Sequence, residues 1–248
     1  MFVLTLLAVL LAPIDSRISM LDGQTHSGTL TAISAAAVEI TENGATVALP
    51  LDDVMAVELT VIAPVASEEP QALFLNDGSE LHGTSIARTA KSLTALTSLF
   101  GAVEINVEMI HAVRLQAENP SHTQQWNTFL KRDSEKDNLV VAKRDGSGLD
   151  FLAGIVSNVT AESVEFLLDG DTIPVPAERV YGIVFGRQAG SKRGLSGSDA
   201  PIQLTSVVGD VFKVKTIVLE ADQLKTESSW GQMLSVPLKQ LQKIDLSS

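Results

Sequence analysis

The chain has 248 residues, of which 45% are hydrophobic and 19% charged, and its 30 acidic and 18 basic side chains give a net charge of −12. This composition excludes a disordered chain, and an acidic surface that repels a phosphate backbone argues against nucleic-acid binding. The absence of cysteine excludes a disulfide framework, a thiolate zinc site and a cysteine nucleophile. Four histidines and one tyrosine are thin material for metal or acid–base chemistry, so neither an enzyme nor a cofactor is expected. The acidic excess is uneven: residues 1–120 carry 4 basic and 14 acidic side chains, and residues 121–248 carry 14 and 16.

Residues 1–13 read MFVLTLLAVLLAP, an apolar run broken only by Thr5. The run is shorter than the ~20 residues that cross a bilayer and has the length of the apolar region of a secretory signal peptide. Residues 1–16 are therefore expected to be a signal-like segment and the protein to be exported, to the periplasm, the cell envelope or the exterior. A first strand or buried helix is the competing reading. No other stretch is apolar enough to span a membrane.

After this segment the chain repeats one plan four times. Leu21-Asp22-Gly23 precedes Gly28, a Val/Ile-rich run, Asn43-Gly44 and TVALPLDDVMAVEL. Asn76-Asp77-Gly78 precedes Gly83, SLTAL, Gly101 and VEINVEMIHAVRL. Asp145-Gly146 precedes Gly154, IVSNVTAESVEFLL, Asp169-Gly170 and TIPVPAERVYGIVF. The fourth copy is the most degenerate, with Val208-Gly209-Asp210, FKVKTIVLEADQLKT, Trp230-Gly231 and MLSVPLKQLQKIDL. The plan is regular in length, with Gly23 lying 31 residues before Val54 and Gly78 lying 32 before Ile110.

The local chemistry reads as strands and tight turns. Asp-Gly and Asn-Gly supply the positive φ of hairpin turns, and apolar residues alternate between them with period two. The fourth strand of each copy is expected to meet a one-turn 3₁₀ helix before a short closing strand. Structural turn roles are assigned to Asp22, Gly23, Gly28, Asn43, Gly44, Asp77, Gly78, Gly83, Gly101, Asp145, Gly146, Gly154, Asp169, Gly170, Gly209 and Gly231.

The expected fold is all-β: four small SH3/Sm-like barrel-type repeat units with one short helix in the central linker. The units are placed at 17–60, 70–116, 139–186 and 201–248. The short join between the first two predicts that they pack as a pair. The segment 117–138 is the linker and the main boundary. In it Trp126, Phe129 and Leu130 recur as one apolar helix face. The segment 187–200 is a flexible, basic, glycine-rich loop.

The strand order and turn placement resemble the Sm-like and SH3-like small barrels. The order of segments also resembles the region that precedes the NPCBM/NEW2 putative carbohydrate-binding domain in exported planctomycete proteins. The pieces that carry this likeness are the LDGxxxxG unit at 21–59, the tryptophan linker at 126–130 and the stretch 139–170. The resemblance implies an exported architecture. It places the carbohydrate-binding module beyond residue 248, so it assigns no sugar-binding role to these residues.

Few residues qualify as a site. Arg187, Lys192 and Arg193 in the basic loop are suited to an anion, although the loop lacks the order of a nucleotide-binding loop and reads more simply as a solvated crossing. Trp230, at a hairpin tip beside Ser228 and Ser229, is suited to stacking on a ligand or to packing between units. His26 and His82 occupy matching places and read as exposed strand residues, with pairing across a pseudo-symmetric interface as the alternative. His26, His82, His111 and His122 show no metal-ligand spacing, and no metal site is expected. Asp52 and Asp53 read as a solvated turn. The function expected is a non-enzymatic extracytoplasmic binding or scaffolding module that engages a protein partner or positions an adjacent domain through exposed edge strands. A carbohydrate or envelope polymer is the alternative ligand, and Sm-like RNA binding is disfavoured by charge.

Overall fold

A computed structural model describes residues 14–60, 70–186 and 201–247. Of the signal-like segment at 1–16, residues 1–13 lie outside the described residues, whereas Ile14, Asp15 and Ser16 open the first strand; the basic loop with Arg187, Lys192 and Arg193 also lies outside the described residues. The described chain is all-β and antiparallel with one α-helix.

The first stretch comprises β1 (Ile14–Met20), β2 (Thr25–Ile33), β3 (Ala37–Glu42), β4 (Ala45–Pro50) and β5 (Val54–Leu59). The second comprises β6 (Gln71–Leu75), β7 (Glu80–Gly83), β8 (Ser85–Arg88), β9 (Ser92–Thr97), β10 (Gly101–Asn106) and β11 (Ile110–Arg114). Helix α1 (Thr123–Leu130) follows, and then β12 (Asp137–Ala142), β13 (Leu149–Val159), β14 (Ser163–Leu168), β15 (Asp171–Pro176) and β16 (Val180–Val184). The last stretch comprises β17 (Ile202–Ser206), β18 (Val211–Glu220), β19 (Gln223–Ser228), β20 (Met233–Pro237) and β21 (Leu241–Asp245). The expected one-turn 3₁₀ helices precede all four closing strands, at Leu51–Asp53, Val107–Met109, Ala177–Arg179 and Leu238–Gln240. Three of them start after a proline, Pro50, Pro176 and Pro237, whose fixed φ suits a helix entry.

The ladders of the first stretch run β5-β1-β2-β3-β4. Those of the third run β16-β12-β13-β14-β15. Among the described residues no ladder closes either set on itself, so the sheets are open where barrels were expected.

The described chain divides into two compact units: 14–60, 201–207 and 214–247 form unit 1, and 70–186 with 208–213 form unit 2. The closing strand of the first stretch pairs with that of the fourth, Val57 opposite Ile244, and the closing strand of the second pairs with that of the third, Val113 opposite Ile183. This corrects the expected pairing of the first two stretches. It also corrects the boundary at 117–138, which is interior to unit 2.

In unit 2, one ladder runs β7-β6-β11-β16-β12-β13 and another runs β10-β9-β8-β13-β14-β15. Strand β13 serves both, pairing with β12 up to Gly154 and with β14 from Ile155. Leu139, Val156, Val159, Val164, Phe166, Val180 and Ile183 form one buried core. A second core, with Trp126, Tyr181, Val140 and Val184, packs α1 on the sheet. With packing on both faces, β16 is buried at every position, which explains why VYGIV does not alternate.

Gly28, Gly83 and Gly154 are corrected from turns to strand positions, inside β2, at the end of β7 and inside β13. Each sits where its strand passes from one neighbour to the next, and a Cβ there would lie 2.4 Å from the Thr41 carbonyl oxygen, 2.7 Å from that of Leu96 or 2.5 Å from that of Leu167. Glycine is required at these corners for close backbone approach, not for positive φ.

Candidate functional site

The turn aspartates act as read from sequence. Asp22, Asp77 and Asp145 each accept the amide of the residue two positions on, at 2.9, 2.8 and 3.0 Å. The glycines that follow them, together with Gly44, Gly101, Gly170, Gly209 and Gly231, have positive φ, as do Asn43 and Asp169. Asp52 and Asp53 are exposed. Trp230 is half-buried in the β19–β20 turn, where its indole Nε1 donates to Gln232 Oε1 at 3.3 Å.

The histidines depart from expectation. His26 lies in unit 1 and His82 in unit 2, and neither is freely exposed: His26 Nδ1 lies 3.3 Å from Glu42 Oε2, and His82 is the centre of a charged cluster in unit 2. His111 Nε2 meets the Leu130 carbonyl at 2.8 Å, at the end of α1, and the His122 ring stands edge-on to Tyr181.

The cluster is assembled from three places in the chain. Arg114 on β11 lies opposite Ala72 on β6, and Ala72 lies opposite His82 on β7, so arginine and histidine flank a small residue on one sheet face. Asp210 enters from the turn before β18 and is buried, with its side chain 1% exposed. Its Oδ1 accepts the His82 amide at 2.7 Å and faces His82 Nδ1 at 3.0 Å. The other ring nitrogen faces Glu80 Oε1 at 3.6 Å, and Arg114 Nη1 lies 3.5 Å from Glu118 Oε2. The hydrogen bond to Asp210 raises the His82 pKa; the charges of Asp210 and Glu80 add to this, against burial and the Arg114 charge. Burial pushes the Glu80 carboxyl up. An imidazole with a carboxylate at each nitrogen is stabilised as the imidazolium. Among the described residues no hydroxyl hydrogen-bonds to the ring, and the nearby Ser79 Oγ accepts the Lys213 amide instead. This geometry favours a fixed positive charge on the ring.

Sequence reasoning singled out His82 and missed Asp210, Glu80 and Arg114. One local signal existed: the first three turns read Asp-Gly, whereas the fourth reads Gly209-Asp210, which puts the acid where Gln24, Ser79 and Ser147 stand in the others.

A second charged constellation joins β8 to β13. Arg88 donates through Nη1 to the Val156 carbonyl and lies 5.1 Å from the Phe185 ring centre. Asp137 accepts the amides of Val156 and Gly186, both at 2.8 Å, while burial raises its pKa against those bonds. These two bonds tie β13 to the backbone that follows β16.

An open groove of about 730 Å³ in unit 2 is lined by Lys143, Arg144 and Arg179 with Asp145, Asp150 and Glu178 over an apolar floor. Among the described residues its lining contains no aromatic side chain.

The sheet edges differ. Strands β4, β15 and β20 carry prolines, Pro50, Pro174 with Pro176, and Pro237. Strand β10 has none, and among the described residues it pairs only with β9. The Val107 amide donates across this ladder to the Lys91 carbonyl. By alternation, the amides of Ala102, Glu104 and Asn106 face the free edge.

Among the described residues no helix is long and apolar enough to cross a membrane, and no group of three or more His, Asp or Glu could hold a metal ion. No protein-family model and no curated protein matches this chain.

Proposed function

We propose that the chain is a non-enzymatic, extracytoplasmic binding and scaffolding module that takes up an extended segment of a partner protein along β10. The observation that carries this reading is the edge of β10: six residues without a proline, paired on one side, with three amides facing outward. Edges of this kind accept an added strand through main-chain hydrogen bonds, and side-chain pockets supply selectivity. On the outer face Glu104 lies opposite Thr94, and Ala102 lies opposite Leu96, which is 50% exposed. A partner strand with Lys or Arg beside Glu104 and an apolar residue beside Ala102 complements that face.

The same reading takes the four stretches as copies of one small SH3/Sm-like barrel-type unit, each in open form. The shared order of turns, 3₁₀ helices and pairings supports it. Export is supported by the apolar run at 1–13 and is tested by sequencing the amino terminus of the mature protein.

The test for binding is a selection of peptides displayed against the full chain. A selected strand should slow exchange of the Ala102, Glu104 and Asn106 amides, and Glu104→Pro, which removes one outward donor, should abolish its binding. Binders that leave those three amides unprotected would refute the β10 assignment.

A further inference from the structure

We propose that protonation of His82 fastens the segment 208–213 onto β7, so that this attachment within unit 2 is tight in mildly acidic solution and loosens in alkaline solution. The inference is independent of any partner on β10.

The histidine makes two of the contacts that fasten this segment. Val211 lies opposite Glu80, the Lys213 amide donates to Ser79 Oγ at 3.1 Å, and the Phe212 ring stands edge-on to Phe100 at 4.8 Å. The two histidine contacts converge on one atom, Asp210 Oδ1, which meets both the amide and Nδ1 of His82. The His82 side chain is 19% exposed, so a proton can enter and leave without unfolding, whereas the Asp210 side chain beside it is 1% exposed, where a charge attraction is little screened.

The groups that face the imidazole come from every element around it. Asp210 comes from the segment itself and Glu80 from β7, and both favour the imidazolium; Arg114 on β11 opposes it, partly answered by Glu118. A neutral imidazole retains an Nδ1–H to donate, so its deprotonation removes the charge attraction and leaves the hydrogen bond. Because the folded ring keeps its proton to a higher pH than a free side chain, the attraction is complete below about 6.5 and fades as pH climbs through the raised value.

The test uses the full chain and two measurements by NMR. The His82 ring is titrated, and amide protection factors are followed from pH 6 to 9 at Lys213 and His82, with Phe166 as the reference for unit 2 as a whole. The expected result is a titration above the ordinary histidine value. The Lys213 protection should also fall with rising pH, about tenfold for each unit by which the titration is raised, while Phe166 is unchanged. In Asp210→Asn the titration should return to or below the ordinary value and the protection at Lys213 should become independent of pH; His82→Gln should likewise give a pH-independent profile. An ordinary or lowered titration in the native chain, a flat Lys213 profile, or a pH dependence that survives in either variant would overturn the proposal.

Discussion

Replacing Gly154 by alanine tests why glycine recurs at the strand corners. The new Cβ would stand 2.5 Å from the Leu167 carbonyl oxygen and 2.5 Å from Cζ of Phe166, with Cε2 at 2.9 Å. Ordinary contact begins near 3.4 Å, so both neighbours must retreat by almost an ångström. Neither has room: the carbonyl is backbone at the point where β13 takes up β14, and the Phe166 ring is buried in the core. Overpacking of this kind costs about 3 kcal/mol. Gly146→Ala is the control. That residue has φ +71° and open space around its Cβ position, so it pays only for the left-handed backbone, about 1 kcal/mol. Urea unfolding separates the two effects. Trp126 lies in unit 2 and Trp230 in unit 1, so a Trp230→Phe background makes fluorescence report unit 2 alone. With a slope of about 2 kcal/mol per molar urea, Gly154→Ala should lower the midpoint by about 1.5 M and Gly146→Ala by about 0.5 M. A Gly154→Ala midpoint within about 0.25 M of the parent, or a larger loss in Gly146→Ala, would show that close backbone approach is not what selects the glycine.

Other expectations follow from single residues. Ala221 has φ +53°, so Ala221→Gly should relieve left-handed strain and stabilise unit 1 by about 0.5–1 kcal/mol, seen as slower amide exchange in β19. Trp126→Ala should cost about 3–5 kcal/mol and release α1 from the sheet, which far-ultraviolet circular dichroism and the exchange of α1 amides would report. Arg114→Leu removes the cation that lowers the His82 pKa, so the ring should titrate higher; Glu80→Gln removes a supporting anion, so it should titrate lower. The reverse order by NMR would disprove the charge assignment. Asp137→Asn keeps one acceptor oxygen for two buried amides and should cost about 1–3 kcal/mol in a urea titration of unit 2.

The sequence by itself determined the local conformation. Asp-Gly and Asn-Gly pairs set positive φ at Gly23, Gly44, Gly78, Gly146 and Gly170, and alternating residues such as Val38 and Ile40 form strands with those residues inward. The prolines before the 3₁₀ turns and the apolar face of Trp126, Phe129 and Leu130 likewise gave the elements observed. These features are legible because φ, ψ and burial periodicity depend on a few adjacent residues.

Tertiary structure decided the rest. Four closing strands, each paired on one side within its own stretch, could pair in several ways on the other, and hydrophobic burial is non-directional, so nothing local selects the first with the fourth and the second with the third. The same partner choice brings the second and third stretches into one unit and turns the 117–138 segment from a boundary into a covered face. It also decides which glycines meet a carbonyl: Gly154 looks like a turn residue until β14 is beside it. The candidate charge cluster was legible in one member only, because His82 and Asp210 are 128 positions apart and the His82 pKa depends on the arrival of Asp210. A buried carboxylate needs hydrogen-bond donors or a counter-charge beside it, and that adjacency is a property of packing rather than of any stretch of chain.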